Sequence, residues 1–264
     1  MKKRSLLLAI VVSFTVLALG VGSAIAATMG PPYSSWCTAE TNSEYDDGDT
    51  YAYAGGGWGM PGEAESWATE ADNGIKKVGA KASVIVGPMT EFSGNVTAHA
   101  EFSQQFKVTE AGSAYIHFYY DGDLSVQNEG SGSINGMYDV GFSVSASDSY
   151  GNSDGGSDFL SLENSKSCSD SFNFYYNFTD EEVGNIFTVT LALDAYITAE
   201  YINYLVDEGQ GGQADFLSDF YDTAKISYFD GGIAFNTVPI PGTVWLFGSG
   251  IMGIMAIRRR KESV

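Results

Sequence analysis

Imidazoles and thiols are scarce in this chain, which has two histidines and two cysteines in 264 residues. His99 and His117 are the only imidazoles, and neither a Ser-His-Asp order with a nucleophile elbow nor an H-E-x-x-H pattern appears. The common hydrolytic constellations therefore cannot be assembled from sequence motifs, and no catalytic residue is assigned. A zinc site would need both histidines and a carboxylate brought together, so no metal ligand is assigned either. Cations are few as well: 13 Lys and Arg against 33 Asp and Glu. Seven of those bases and one acid, Glu262, sit in the two end segments, which leaves 6 bases against 32 acids and a net charge near −26 over residues 28–237. Phosphate-binding surfaces need clustered Lys and Arg, so nucleic acid is excluded as a partner. Also missing between the ends is any convincing 3.6-residue apolar stripe with caps, the mark of an amphipathic helix.

The ends themselves are apolar. Lys2, Lys3 and Arg4 precede the run Leu6 to Val21 and then Ala24-Ile-Ala26. This is the charged, hydrophobic and small-residue order of a secretory signal, so residues 1–26 are expected to be a signal peptide and the exported chain to begin at Ala27 or Thr28. At the other end, Val238-Pro239-Ile240-Pro241-Gly242 leads into an apolar run, Thr243 to Ile257, that includes Trp245, and then into the basic cluster Arg258, Arg259, Arg260, Lys261. At ~1.5 Å rise per residue the apolar run makes about 22 Å, short for a ~30 Å hydrocarbon core, and counting from Val238 brings it to a bare span. A transmembrane helix is expected over 243–257, with the four cations stopping it on the cytoplasmic side.

This order, Val-Pro-x-Pro, a short apolar helix with Trp-Leu-Phe-Gly-Ser-Gly, and a terminal Arg cluster, resembles the PEP-CTERM sorting domain of Gram-negative bacteria. The commonest form of that motif has Glu where Ile240 stands, and a Val-Pro-Leu-Pro form followed by Val-Trp-Leu is a familiar subtype. The resemblance covers residues 238–262. It implies an exosortase as partner, transient residence in the inner membrane as a precursor, and delivery to the cell surface or extracellular matrix after the tail is removed.

Residues 27–235 are enough for one acidic domain, and their aromatics can fill a core. Their periodicity is two. Val96, Ala98, Ala100 and Phe102 alternate with Thr97, His99 and Glu101, and the longest run keeps Phe187, Val189, Leu191, Leu193, Ala195, Ile197, Ala199 and Tyr201 on one side. Similar runs start at Tyr138 and Phe172, and further strands are expected at 51–54, 82–86, 114–120, 124–127 and 224–233. Turns are expected at Glu110 to Gly112, Asp121-Gly122, Asn128 to Gly136, Gly151 to Gly156 and Gly209 to Gly212. About nine strands with Gly-rich reversals predict an all-β, two-sheet antiparallel sandwich, jelly-roll-like, flanked by the signal peptide and the C-terminal helix.

Three features carry expectations of chemistry. Cys37 and Cys168, in an oxidising compartment, are expected to form one disulfide closing a loop of ~130 residues and contributing several kcal/mol. The acidic groups Glu44-Tyr-Asp46-Asp47-Gly-Asp49, Asp121-Gly-Asp123 and Asp154 to Asp158 offer the ligand type calcium prefers, but without EF-hand spacing. Solvated turns are the simpler reading, and calcium is carried only as an alternative to no cofactor. Trp36, Trp58 and Trp67 lie near Tyr33, Tyr51 and Tyr53, and on one sheet face they would stack sugars; core packing is the plainer account. The sequence thus predicts a non-enzymatic exported surface or matrix protein. A carbohydrate-binding module that meets exopolysaccharide, or a secreted polysaccharide hydrolase with paired carboxylates, remain as alternatives.

Overall fold

A computed structural model describes residues 33–41, 44–48, 51–55, 62–70, 76–88, 90–130, 132–162, 164–205 and 212–236. All of them belong to the unit Pro31–Asn236. The expected signal peptide, the sorting motif with its helix and basic cluster, and Trp58 lie outside the described residues.

Alternation of side chains decides the architecture. The strands are β1 (Tyr33–Glu40), β2 (Tyr45–Gly48), β3 (Tyr51–Gly55), β4 (Glu63–Glu70), β5 (Lys76–Val86), β6 (Glu91–Val108) and β7 (Gly112–Gly130). They continue with β8 (Ser133–Asp148), β9 (Ser153–Leu160), β10 (Asn164–Phe178), β11 (Ile186–Leu205), β12 (Gly212–Gly231) and β13 (Ile233–Phe235). One 3-10 turn, Asp180–Glu182, is the single helical element among the described residues. Two sheets form, in the orders β2-β1-β6-β11-β8-β9 and β10-β7-β12-β5-β4-β3, with β13 also paired to β6. Their ladders are antiparallel, as in β11 against β6 and β8 and in β12 against β5 and β7. The long strands nest as successive pairs: β8 with β9, β7 with β10, β6 with β11 and β5 with β12. Alternate pairs fall in alternate sheets, so the chain runs as a long hairpin doubled over on itself.

Each inner face supplies half the core. On β11 the odd positions Phe187 to Ile197 are buried, as expected, and on β6 Val96, Ala98, Ala100 and Phe102 face the same way. Phe142 of the first sheet stacks on Phe220 of the second with ring centroids 4.1 Å apart. Each such phenylalanine contributes roughly 1.5–3 kcal/mol of burial. The filling grades along the sandwich. Around β1, β3 and β4 it is Ala39, Ala52, Ala54, Ala64 and Ala68, small enough that the Ser66 hydroxyl donates to the Thr38 carbonyl of the facing sheet at 2.9 Å. Around β10 it is Phe174, against Phe118, and Tyr176 and Phe178, packed with Phe187.

Two expectations fail for physical reasons. Asp121-Gly122 makes no turn, because β7 runs straight through it: Asp121, Gly122 and Asp123 pair with Ser169, Cys168 and Ser167 of β10. The glycine serves close approach, since a Cβ at 122 would stand 2.6 Å from the Asp219 carbonyl oxygen. The expected Cys37–Cys168 disulfide is not formed, and Cys168 is a free, buried thiol. Cys37 sits on β1, beside β4 and β3 of the facing sheet, whereas Cys168 sits on β10, beside β9. From β1 to β9 the first sheet takes four strand steps of about 4.8 Å each, far beyond the ~7 Å Cα limit of a disulfide.

Candidate functional site

The outer faces of the two sheets differ in chemistry. On the first, the exposed positions of β6, β8 and β11 are mostly small and polar: Ser143, Ser145 and Ser147 lie beside Asp194, Ala192 and Thr190. On the second, β7, β10 and β12 bring several aromatic side chains together. Strand β7 turns Ala114, Ile116, Phe118 and Tyr120 into the core, which points Tyr115, His117, Tyr119, Asp121 and Asp123 outward. Pairing with β10 sets Tyr175 opposite Tyr115 and Asn173 opposite His117. On the other side, β12 brings Tyr228 opposite His117, and it does so through a bulge. Ala224 and Ile226 are buried, so strict alternation would bury Tyr228 as well. One extra residue, Ser227, shifts the register between Ile226 and Tyr228 and turns the tyrosine out.

The result is an aromatic strip across three strands. Tyr115 lies 6.3 Å from Tyr175 and 5.7 Å from Tyr228, centroid to centroid, and His117 lies 4.7 Å from Tyr228. Tyr175 is 71% exposed and Tyr228 47%. His117 Nδ1 is 2.8 Å from Asn173 Oδ1; with Nδ1–H donating there, the neutral ring keeps Nε2 as an acceptor. Desolvation among its neighbours raises the Tyr115 phenol, and the Asp121 carboxylate does the same to Tyr119. Both hydroxyls therefore stay protonated donors at neutral pH. Lys225 Nζ lies 5.7 Å from the Tyr119 ring.

Further along β7 the strip opens into a cleft of about 590 Å³, lined by Tyr119, Asp121, Asp123, Ser167, Asp219 and Tyr221 among others. A second, larger bulge makes the room. Between Asp219 and Lys225 the strand β12 carries more residues than β7 does between Asp123 and Tyr119. Within the cleft Ser167 Oγ donates to Asp123 Oδ1 at 2.6 Å, and Lys81 Nζ pairs with Asp219 Oδ2 at 3.3 Å.

The chain has no match among protein-family models. No curated protein matches it. Among solved structures it is similar to TmCBM61 in complex with β-1,4-galactotriose, at 13% identity over 65% of this chain and 86% of that one, with a TM-score of 0.15. A likeness that slight carries nothing from one chain to the other.

The residues singled out by sequence are dispersed. Trp36 is 48% exposed on the first sheet and meets His99 edge-on at 5.6 Å. His99 is no plain solvated residue, because its Nδ1 is 2.7 Å from Asp194 Oδ1. Trp67 belongs to the second sheet and is buried, edge-on to Tyr221 at 5.6 Å with Lys77 Nζ 5.0 Å from its ring. The two described tryptophans thus share no surface, and His99 and His117 stand on opposite sheets. Of the acidic groups, Glu44 and Asp46 accept the Gly55 and Tyr53 amides at 3.0 and 2.9 Å and fasten β3. Asp158 pairs with Lys166 across the β9 and β10 edges. Among the described residues no three His, Cys, Asp or Glu side chains are grouped to hold a metal ion. The strip itself was missed, since its members come from strands far apart in sequence and one of them depends on a bulge.

Proposed function

We propose that residues 27–235 form a non-catalytic glycan-binding sandwich of jelly-roll type, exported and delivered to the cell surface or extracellular matrix by exosortase processing of the C-terminal tail. The observation that carries the binding reading is the exposed strip of Tyr115, Tyr175 and Tyr228 with His117. The C–H face of a pyranose packs on such rings, while the phenols, the imidazole and Asn173 offer hydrogen bonds to its hydroxyls. The nested strand pairing, β5 with β12 through β8 with β9, supports the jelly-roll description. The strongly acidic surface suits an uncharged polymer and disfavours anionic ones.

The test is affinity electrophoresis of the exported protein through gels holding neutral polysaccharides. Retardation is expected for the wild type and for Trp36→Ala, and it is expected to vanish in Tyr175→Ala and Tyr228→Ala. Loss in Trp36→Ala with full retention in the other two would move the site to the first sheet.

The sorting reading rests on Val238-Pro239-Ile240-Pro241, the apolar run with Trp245 and the terminal basic cluster. Intact mass of the surface protein is expected to show a start at Ala27 or Thr28 and loss of everything beyond the Pro-x-Pro motif. A surface protein that still ends in Val264, in a host that carries an exosortase, would leave the tail as a plain membrane anchor.

A further inference from the structure

We propose, resting on the glycan-binding reading, that the aromatic strip and the cleft beyond it are one groove, which holds an elongated uncharged glycan with its axis along β7 and not a single terminal sugar. The outward set on β7 is collinear. Tyr115 and Asp123 are eight residues apart on one strand, and at about 3.3 Å per residue the line they define is about 26 Å long. That exceeds one sugar ring several times over. Tyr119 belongs to both parts: it follows His117 on the strip side and lines the cleft on the other. The walls continue as well. Strand β10 borders the whole line, from Tyr175 opposite Tyr115 to Ser167 opposite Asp123, and β12 borders the other side from Tyr228 to Asp219. The two bulges of β12 serve this line in different ways, one turning a ring outward at the aromatic end and the other opening the cleft.

The two ends favour different parts of a sugar. Rings at the Tyr115 end take apolar faces. At the cleft end Asp121, Asp123 and Asp219 accept hydroxyl hydrogens, with Ser167 and Ser169 beside them. The described cations beside this line are engaged, Lys81 with Asp219, Lys225 over the Tyr119 ring and Lys77 over that of Trp67, so a uronate or sulfate would meet carboxylates where it needs a counter-charge. The ligand class that fits is a neutral polymer bound internally along its chain.

The test uses the full exported protein and the neutral polymer that retards it best, cut into an oligomer series from disaccharide to octasaccharide, with alginate and polygalacturonate as anionic controls. Titration calorimetry is expected to show affinity rising about tenfold or more from disaccharide to hexasaccharide, with no binding of the anionic polymers at low salt. Ser169→Arg places a guanidinium among the cleft carboxylates from an exposed position. It is expected to reduce hexasaccharide affinity to the disaccharide level while leaving disaccharide binding and the thermal midpoint unchanged. Affinity independent of length, an unaffected hexasaccharide in Ser169→Arg, or preference for an anionic polymer would each overturn the extended groove and leave strip binding intact. Binding that survives in Tyr175→Ala, or a wild type that no polymer retards, would instead overturn the reading on which it rests.

Discussion

The Tyr176 hydroxyl donates to Asp148 Oδ2 at 2.6 Å, joining β10 of one sheet to the end of β8 in the other. The same carboxylate accepts the Tyr150 and Asn152 amides at 2.9 and 3.0 Å and so closes the turn into β9. Burial, and then the Asp148 hydrogen bond, push the Tyr176 phenol far above its ordinary range. A phenol whose folded pKa is raised contributes stability that is fully present below the ordinary ~10 and is lost as pH rises past it. Asp148→Ala is expected to cost about 3 kcal/mol, because it strands a buried hydroxyl and opens the turn, and Tyr176→Phe about 1–2 kcal/mol. Urea unfolding at neutral pH and again above pH ~10 checks both, since Tyr176→Phe should unfold less steeply with alkali than the wild type.

His99 gives the opposite end of the pH scale something to report. Its hydrogen bond to Asp194 raises the imidazole, against the desolvation that lowers it. The folded pKa is therefore above the unfolded ~6.5, and the pair stabilises the protein fully below that value and progressively less as pH rises through the folded one. Asp194→Asn is expected to flatten the stability profile from pH ~6.5 upward while leaving the core packed. An NMR titration of the His99 ring in wild type and variant measures the cause directly.

Strands whose inner face is strictly alternating were legible before any coordinates, because a half-buried strand must repeat every second residue. Phe187 to Ile197 is the plainest case. Illegible were the places where the ladder breaks that rule. Ser227 reverses the facing of Tyr228, and the irregularity between Phe220 and Ala224 opens the cleft, yet neither leaves a mark in composition. Tryptophan content does not mark the strip: Trp67 is taken up by packing under Tyr221, the plainer account of it, Trp36 stands on the other sheet, and the exposed rings of the strip are tyrosines. The Cys37–Cys168 pairing misled for a similar reason: sequence gives the number of thiols but not the sheet each strand joins.

Phe106 is fully buried and touches Phe187, Phe229 and Phe235 at centroid distances of 5.6, 5.2 and 5.3 Å. Truncating it removes a large ring at the point where β13 is held to β6. Phe106→Ala is expected to cost about 3–5 kcal/mol, and hydrogen exchange should show the amides near Ile233 and Phe235 losing protection before those of β11.

Cys168 should behave as a protected thiol. Burial first, and then the nearby Asp158 charge, raise its pKa, so little thiolate exists at neutral pH. Alkylating reagent is expected to leave it unmodified in the native protein and to label it on denaturation without reductant. Resistance to labelling in the denatured, unreduced chain would show that it is bonded to another sulfur after all.

Strands β13 and β1 lie end to end on the same edge of β6, with Phe235 opposite Phe106, Asn236 bonded to the Gln105 carbonyl at 3.0 Å, and Tyr33 opposite Gln104. Considered as a path, residues 33–236 make a closed circuit with one nick, at which Tyr33 and Asn236 meet. A circular permutant that joins Asn236 to Tyr33 by a short linker and opens new ends in the Ser149 to Asn152 turn would keep every strand and both sheets. Tension applied through Tyr33 and Asn236 would act at that single seam and peel β1 and β13 from β6 one bond at a time, while the paired long strands behind them carried no load.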